Sequence, residues 1–159
     1  MRKFTRKKKT GAVKSKKKVI DGITFASSLE AYCYSKLKEN NIDFEYEGES
    51  FTVLPSFKFL GRYLASSPKK KELTDKTGKL VRAITYTPDF VSHENKFIIE
   101  TKGFVPSNHS FPLRWKLFLA YLNDNDMGVY QVFLPKNQGQ VDDLIKIITD
   151  EQREPKLFN

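Results

Sequence analysis

Asp89, Glu100 and Lys102 are the residues whose types and spacing best suit chemistry in this chain. They lie in residues 86–103, Tyr-Thr-Pro-Asp-Phe-Val-Ser-His-Glu-Asn-Lys-Phe-Ile-Ile-Glu-Thr-Lys-Gly, where two short apolar segments flank a polar turn at 92–95. A β-hairpin centred near residues 94 and 95 sets Asp89 across from Glu100. Along its second arm Lys96, Ile98, Glu100 and Lys102 share one face, and Phe97, Ile99 and Thr101 the other. Two carboxylates held close together repel, and a hard divalent cation relieves the repulsion. Mg²⁺ (or Mn²⁺) suits such a place, since one or two carboxylates with water and substrate phosphate complete its shell. The ion can activate water and stabilise charge on phosphate. A lysine beside it can orient the attacking water or offset developing charge. The ordinary alternatives are a solvated Glu-x-Lys strand face with a weak ion pair and a Pro-Asp turn. Their combination on one hairpin of a basic chain favours the metal site.

Charge supports a phosphate-bearing partner. The formal net charge is +9 over 159 residues. Residues 1–18 hold ten basic side chains, Arg2, Lys3, Arg6, Lys7, Lys8, Lys9, Lys14, Lys16, Lys17 and Lys18, and no acid. The remainder holds eighteen basic and nineteen acidic residues, so the excess belongs to the tail. Such a tail reads as disordered and nucleic-acid-seeking; a solubility tail or a targeting signal are the other readings. Residues 19–159 are long enough for a single domain with its own core. One cysteine, Cys33, excludes a disulfide framework or a zinc-thiolate site and fits a cytoplasmic setting. No apolar run suggests a membrane span or a secretory signal.

The elements that must position the trio follow from local patterns. Residues 19–25 suggest a hairpin turning on Asp21-Gly22. Ser27 with Glu30 three residues later forms a capping box, opening a helix to about Asn40 with Leu29, Tyr32, Cys33 and Leu37 as its apolar stripe. Glu30 borders that stripe. The capping box alone explains it, and so does a third carboxylate aimed at the site; spacing leaves both open. Residues 42–47 alternate as a strand, 48–50 turn, and 51–54 read as the return strand. Residues 56–82 form an insertion, an extended loop or a long β-hairpin, whose lysines could track a DNA backbone or be merely solvated. After a loop at 103–109, Ser110 caps a helix with Pro112 in its first turn, running to about Leu122 with Leu113, Leu117, Ala120 and Tyr121 as its apolar side. Arg114 and Lys116 on it are candidate phosphate contacts or a solvated face; Trp115 reads as packing. Residues 129–134 form a strand expected to be central, and 141–150 a final helix. His93 and His109 lack partners at ligand spacing and read as surface residues.

Ser28-Leu29-Glu30 on a helix, Phe44-Glu45-Tyr46-Glu47 on a strand, Tyr86-Thr87-Pro88-Asp89-Phe90 and Glu100-Thr101-Lys102-Gly103 together resemble the phage endonuclease I family of Holliday junction resolvases. That family belongs to the nuclease superfamily named for Pro-Asp followed by Asp/Glu-x-Lys. The opening at residues 19–25 is also similar to nuclease-like phage proteins without an assigned role. The resemblance covers most of residues 27–103, apart from the insertion. It implies an α/β, restriction-endonuclease-like core: a mixed sheet flanked by helices. It implies divalent metal held by Asp89, Glu100, the Thr101 backbone carbonyl and Glu30, with Lys102 serving the attacking water and Glu45 as a further acidic position. It also implies a homodimer acting on branched DNA. The basic tail, the insertion and the C-terminal third depart from the pattern, and they bear on substrate choice and dimerisation.

The expectation is therefore a Mg²⁺-dependent DNA endonuclease, most closely a phage or prophage junction resolvase. Its rivals are a monomeric nicking or end-processing nuclease of the same superfamily, and a non-catalytic DNA-binding protein whose acidic trio is structural.

Overall fold

The computed structural model describes residues 17–67, 70–103 and 110–153. The chain opens with an antiparallel pair, β1 (Lys18–Ile20) and β2 (Ile23–Phe25). Asp21 and Gly22 between them both have positive φ, 52° and 78°, the turn whose hand matches strand twist and which Asp-Gly accommodates readily. Lys18 is paired with Phe25, so the expected 1–18 tail gives up its last residue to a strand. Residues 1–16 of that tail lie outside the described residues.

Helix α1 (Ser28–Glu39) starts where the capping box places it. Ser27 is extended, and its hydroxyl accepts the Glu30 N–H at 3.1 Å. The Glu30 carboxylate reaches back to the N–H of Ala26, at 3.0 Å, one residue before the position a capping box uses.

Next come β3 (Glu45–Tyr46), β4 (Phe51–Leu54), β5 (Phe57–Lys58), β6 (Leu64–Ser67), β7 (Lys70–Asp75), β8 (Leu80–Val81) and β9 (Ile84–Tyr86). The expected return strand, β4, does not pair with β3. It pairs with β9, more than thirty residues on, through Phe51 opposite Tyr86. The pairs β5–β8 and β6–β7 nest inside that one, so the insertion is a long two-stranded arm. Residues 56–82 thus contain two nested antiparallel strand pairs. Local sequence misplaced β4 because strand pairing is decided by partners that propensity does not see.

The central hairpin is β10 (Phe90–Ser92) and β11 (Phe97–Ile99), in the register Phe90–Ile99, Val91–Ile98, Ser92–Phe97. Lys96 belongs to its turn, with φ of 53°, and not to the strand. Helix α2 (Phe111–Asp124), β12 (Gln131–Phe133) and α3 (Gln138–Arg153) complete the chain. Ser110 occupies the N-cap position of α2 but is itself helical and makes no side-chain cap. The expected loop at 104–109, with His109, lies outside the described residues.

The main sheet runs β12-β11-β10-β3, with β12 parallel to β11 and the rest antiparallel. β12 is therefore an edge strand and not central; its residues are only partly buried. Phe97, Ile98 and Ile99 are all buried, because both faces of β11 are covered. Phe90, Phe97 and Ile99 join one core with Leu37 of α1 and Val141 and Ile148 of α3. Val91 and Ile98 join a second with Phe51, Tyr86 and Phe118. The stripe that α2 buries is Phe118 and Leu122, with Phe111, Trp115 and Tyr121 beside them. Leu113 is 63% exposed. The helix carries apolar residues on two sides, and the aromatic side won the larger burial. Trp115 packs between Phe111, Phe118 and Tyr86, as a packing residue should. The architecture is mixed α/β, with small sheets and three helices. Among the described residues no helix is long and apolar enough to cross a membrane.

Candidate active site

The hairpin's outermost pair is Phe90 with Ile99, so the next positions outward are Asp89 and Glu100, as the centring at 94 and 95 requires. Their alternation with Val91 and Ile98 puts both on the face shared with Tyr86 and α2. Beyond β11 the chain stays tied to the neighbouring strand: the Glu100 N–H donates to the Phe133 carbonyl at 3.0 Å, and the Lys102 N–H to the Pro135 carbonyl at 2.9 Å. The parallel ladder thus extends past Phe133 and fixes the backbone on which both side chains stand.

Asp89 Oδ2 accepts two hydrogen bonds from Thr101, from its N–H at 2.7 Å and its hydroxyl at 2.6 Å. Alternation would turn Thr101 away. The regular strand has ended by residue 101, and the hydroxyl comes round to Asp89. Lys102 Nζ donates to Glu100 Oε1 at 3.2 Å and stands 4.3 Å above the centre of the Phe111 ring, a favourable place for a cation.

The electrostatics follow from crowding acids where water is scarce. Burial, and then the charge of Glu100, push the Asp89 carboxyl up to about 7, against the Thr101 hydrogen bonds; the charge of Glu30 adds to the rise. Burial also raises Glu100, with Lys102 opposing it. Burial and the nearby Glu100 hold the Tyr86 phenol above its usual range. The Tyr86 hydroxyl interacts with the Glu100 carboxylate, which it helps to hold down while its own phenol is held up. It sits beside two crowded carboxylates.

Glu30 is buried, and its charge is felt by both Asp89 and Glu100. Its Oε2 is already engaged by the Ala26 N–H and by the Tyr46 hydroxyl at 3.1 Å. Among the described residues no group of three or more His, Cys, Asp or Glu side chains is arranged to hold a metal ion. The hairpin brings Asp89, Glu100 and Lys102 together; Glu30 stands behind them, hydrogen-bonded to its own surroundings. Glu45 is exposed on β3 opposite Val91. Its side chain lies against Gly48, where a Cβ would collide with it. Its neighbour Glu47 is the residue whose N–H meets the Asp89 carbonyl, at 2.9 Å.

Arg114 reaches back to the Thr85 carbonyl at 2.5 Å and stands 5.8 Å from the Tyr86 ring centre, on the site's side of α2. Lys116 is exposed two residues later, where helical geometry turns it to another side. Of the tail's cations, Lys17 and Lys18 are described and exposed. His93 is on the surface as expected but not alone: its ring nitrogens lie 2.7 Å from the Tyr130 hydroxyl and 2.9 Å from Glu49 Oε2. Sequence reasoning overlooked Thr101's side chain, Tyr86 and Tyr46 as partners of the acids. For Tyr86 a signal existed, since it opens the same Tyr-Thr-Pro-Asp run; for Tyr46 only the assembled core supplies one.

Comparison with curated proteins and with solved structures gave no match. A family model described as protein of unknown function, DUF1064, matches residues 9–132. The match takes in Glu30, the arm, the Asp89–Glu100 hairpin and α2, and stops at β12. The chain belongs to the DUF1064 family.

Proposed function

We propose that this protein is a divalent-metal-dependent DNA endonuclease with a restriction-endonuclease-like core, and that it acts on branched DNA such as a four-way junction, as a homodimer. The observation that carries this reading is the pairing of Asp89 and Glu100 across the hairpin end, both acids raised by burial and crowding, with Lys102 on the Glu100 carboxylate.

The donor set fits Mg²⁺ or Mn²⁺: hard oxygens from two carboxylates, with water and phosphate to supply the rest. Asp89 and Glu100 would hold the ion, and the buried Tyr86 hydroxyl faces Glu100 at the same place. When bound, the ion supplies Lewis acidity and offsets charge building on phosphate. Lys102 holds a proton-rich ammonium beside the reacting phosphate, where it orients water and balances charge. Thr101 fixes the Asp89 carboxylate by two bonds, so one oxygen is oriented before substrate arrives. Glu30 keeps a third negative charge behind the pair, which strengthens their demand for a cation. The net-positive sequence brings DNA to the protein.

One observation favours the rival in which the acids are structural: Glu30 is already satisfied by Ala26 and Tyr46. Cleavage decides between them. The full chain is incubated with a four-way junction and with linear duplex, in Mg²⁺ and in chelator. The expected result is metal-dependent cutting of the junction, abolished by chelator and by Asp89→Asn. Failure to cut any DNA with Mg²⁺ or Mn²⁺ overturns the proposal, and cutting of linear duplex equal to junction overturns the branched-DNA part of it.

A further inference from the structure

The arm built from β5 to β8 has a composition that its fold does not use. Among the described residues, none of its side chains belongs to either core. Yet Phe57, Phe59 and Tyr63 stand on it at 45%, 49% and 45% exposure, and among the described residues these are the exposed aromatic side chains of the protein. Every other described Phe, Tyr and Trp is at least partly buried. Leu60 is 94% exposed beside them. Large apolar groups gathered on one solvent-facing element mark an interaction surface.

Charge says what kind. Residues 56–82 carry eight Lys or Arg against two acids, Glu72 and Asp75. The rest of 19–159 carries ten Lys or Arg against seventeen acids. The near-neutral folded part is thus an acidic body with a basic arm. Cations and rings interleave along the first limb of the arm, Phe57 and Lys58 in β5 and Phe59, Arg62 and Tyr63 in the stretch that leads to β6. Tyr63 meets Phe59 edge-on, with centroids 6.4 Å apart and planes at 86°. Gly61 makes the seat for the Phe59 ring, since a Cβ there would come within 2.7 Å of it. The Tyr63 backbone is pinned by its carbonyl to the Lys76 N–H at 2.7 Å and by its own N–H to the Thr77 hydroxyl at 3.0 Å. Phe57 is carried on the β5–β8 ladder, and Tyr63 is tied by its backbone to the turn after β7.

Aromatic faces on a basic strand bind single-stranded nucleic acid: bases stack on the rings and the phosphates follow the cations. We infer that the arm is a binding site for unpaired DNA, with Phe57, Phe59 and Tyr63 as its stacking surface and Lys58, Arg62, Lys79 and Arg82 as its phosphate contacts. This deepens the nuclease reading by giving it a substrate feature, unstacked bases near the cut, and it concerns binding alone. It stands even if no DNA is cut.

The test is fluorescence anisotropy on the full chain in chelator, with a labelled single-stranded oligonucleotide and a blunt duplex of the same length, across a salt series. Phe59→Ala with Tyr63→Ala should weaken single-strand binding about tenfold or more, leave duplex binding within about twofold, and keep the salt slope of both. Arg62→Ala with Lys79→Ala should weaken both and flatten the slope, by about 0.7 per lost contact on single strands. Gly61→Ala, which retains every aromatic but displaces one, should reproduce part of the ring loss. Circular dichroism of each variant confirms that the fold survives. Unchanged single-strand affinity in the double aromatic variant overturns the inference. So does an equal loss on single strand and duplex. A change only in sedimentation of the protein alone also overturns it, since the rings would then meet a second copy. Metal-dependent cleavage, measured separately, reports on the nuclease reading and leaves this result untouched.

Discussion

The hairpin end and the arm are both antiparallel two-stranded structures, and they solve opposite problems. At the hairpin end, Glu100 is buried and Asp89 half-buried, and the segment is held by bonds to β12 and from Thr101 and Lys102. On the arm, aromatics and cations stand in water with no core behind them. The protein buries charge where it could do chemistry and exposes rings where it could meet a partner. Each is the reverse of the usual distribution. Such inversions are informative because folding alone gains nothing from them.

The sharpest way to break this contrast is to substitute on each side and measure both rate and affinity. Asp89→Asn, or Glu100→Gln, should lower junction cleavage by roughly a thousandfold or more while DNA affinity stays equal or rises, since phosphate attraction needs no activated water. The arm variant with Phe59→Ala and Tyr63→Ala should leave the single-turnover rate at saturating DNA within about threefold. A rate loss on the arm that persists at saturation would mean the two regions share one task.

The same residue type can be compared across the two environments. Phe90 is fully buried and Phe59 half exposed. Phe90→Ala should cost about 3–5 kcal/mol of stability, and Phe59→Ala about 0.5 kcal/mol or less, read from urea unfolding midpoints. Equal losses would show that the arm is packed in solution.

A third comparison uses pH. Asp89 has a folded-state pKa raised from 3.8 to about 7, so the fold favours its protonated form. The stability associated with that proton is complete below about pH 4 and is lost as pH rises through 7. In chelator, the protein should become less stable between pH 5 and pH 8, as the crowded Asp89 and Glu100 carboxyls lose their protons. Asp89→Asn keeps an acceptor for Thr101 without the charge and should flatten the curve. Thermal unfolding at the two pH values, with and without Mg²⁺, reads it. A variant whose pH dependence matches wild type would exclude Asp89 as the cause.

The smallest expected effect belongs to Tyr86→Phe. The ring stacks on Phe118 at 4.6 Å and stays packed, and the hydroxyl removed faces Glu100 without a well-formed hydrogen bond. Stability should change by about 1 kcal/mol or less, in either direction. Cleavage should fall by about tenfold if the hydroxyl serves bound substrate or ion. Unchanged kinetics would make Tyr86 a packing residue only.

How much of this could be read in advance depends on distance along the chain. The Asp89–Glu100 opposition was legible because a hairpin's register is set by its own turn. Helix α1 was legible because Ser27 and Glu30 sit one turn apart. The partner of β4 was hidden, since Phe51 meets Tyr86 only after the whole arm has intervened. The buried side of α2 was hidden because Leu113, Leu117 and Ala120 make one plausible stripe and Phe111, Trp115 and Phe118 another; only the neighbours choose. The edge position of β12 was hidden for the same reason. Glu30 was legible as a capping residue and as a charge near the site, but its bond to Tyr46 needed the sheet in place.

The strand carrying Glu100 and Lys102 has one neighbour close in sequence and one far. β10 can zip onto it through a short turn, but the Phe133 and Pro135 carbonyls arrive only after α2 has crossed over. Contacts of long sequence separation form late, because the loop must close before they are gained. On the ribosome, the Glu-Thr-Lys backbone therefore remains unclamped until residue 135 has emerged. A chain interrupted anywhere before that point carries all of the acids and the lysine without the ladder that aligns them.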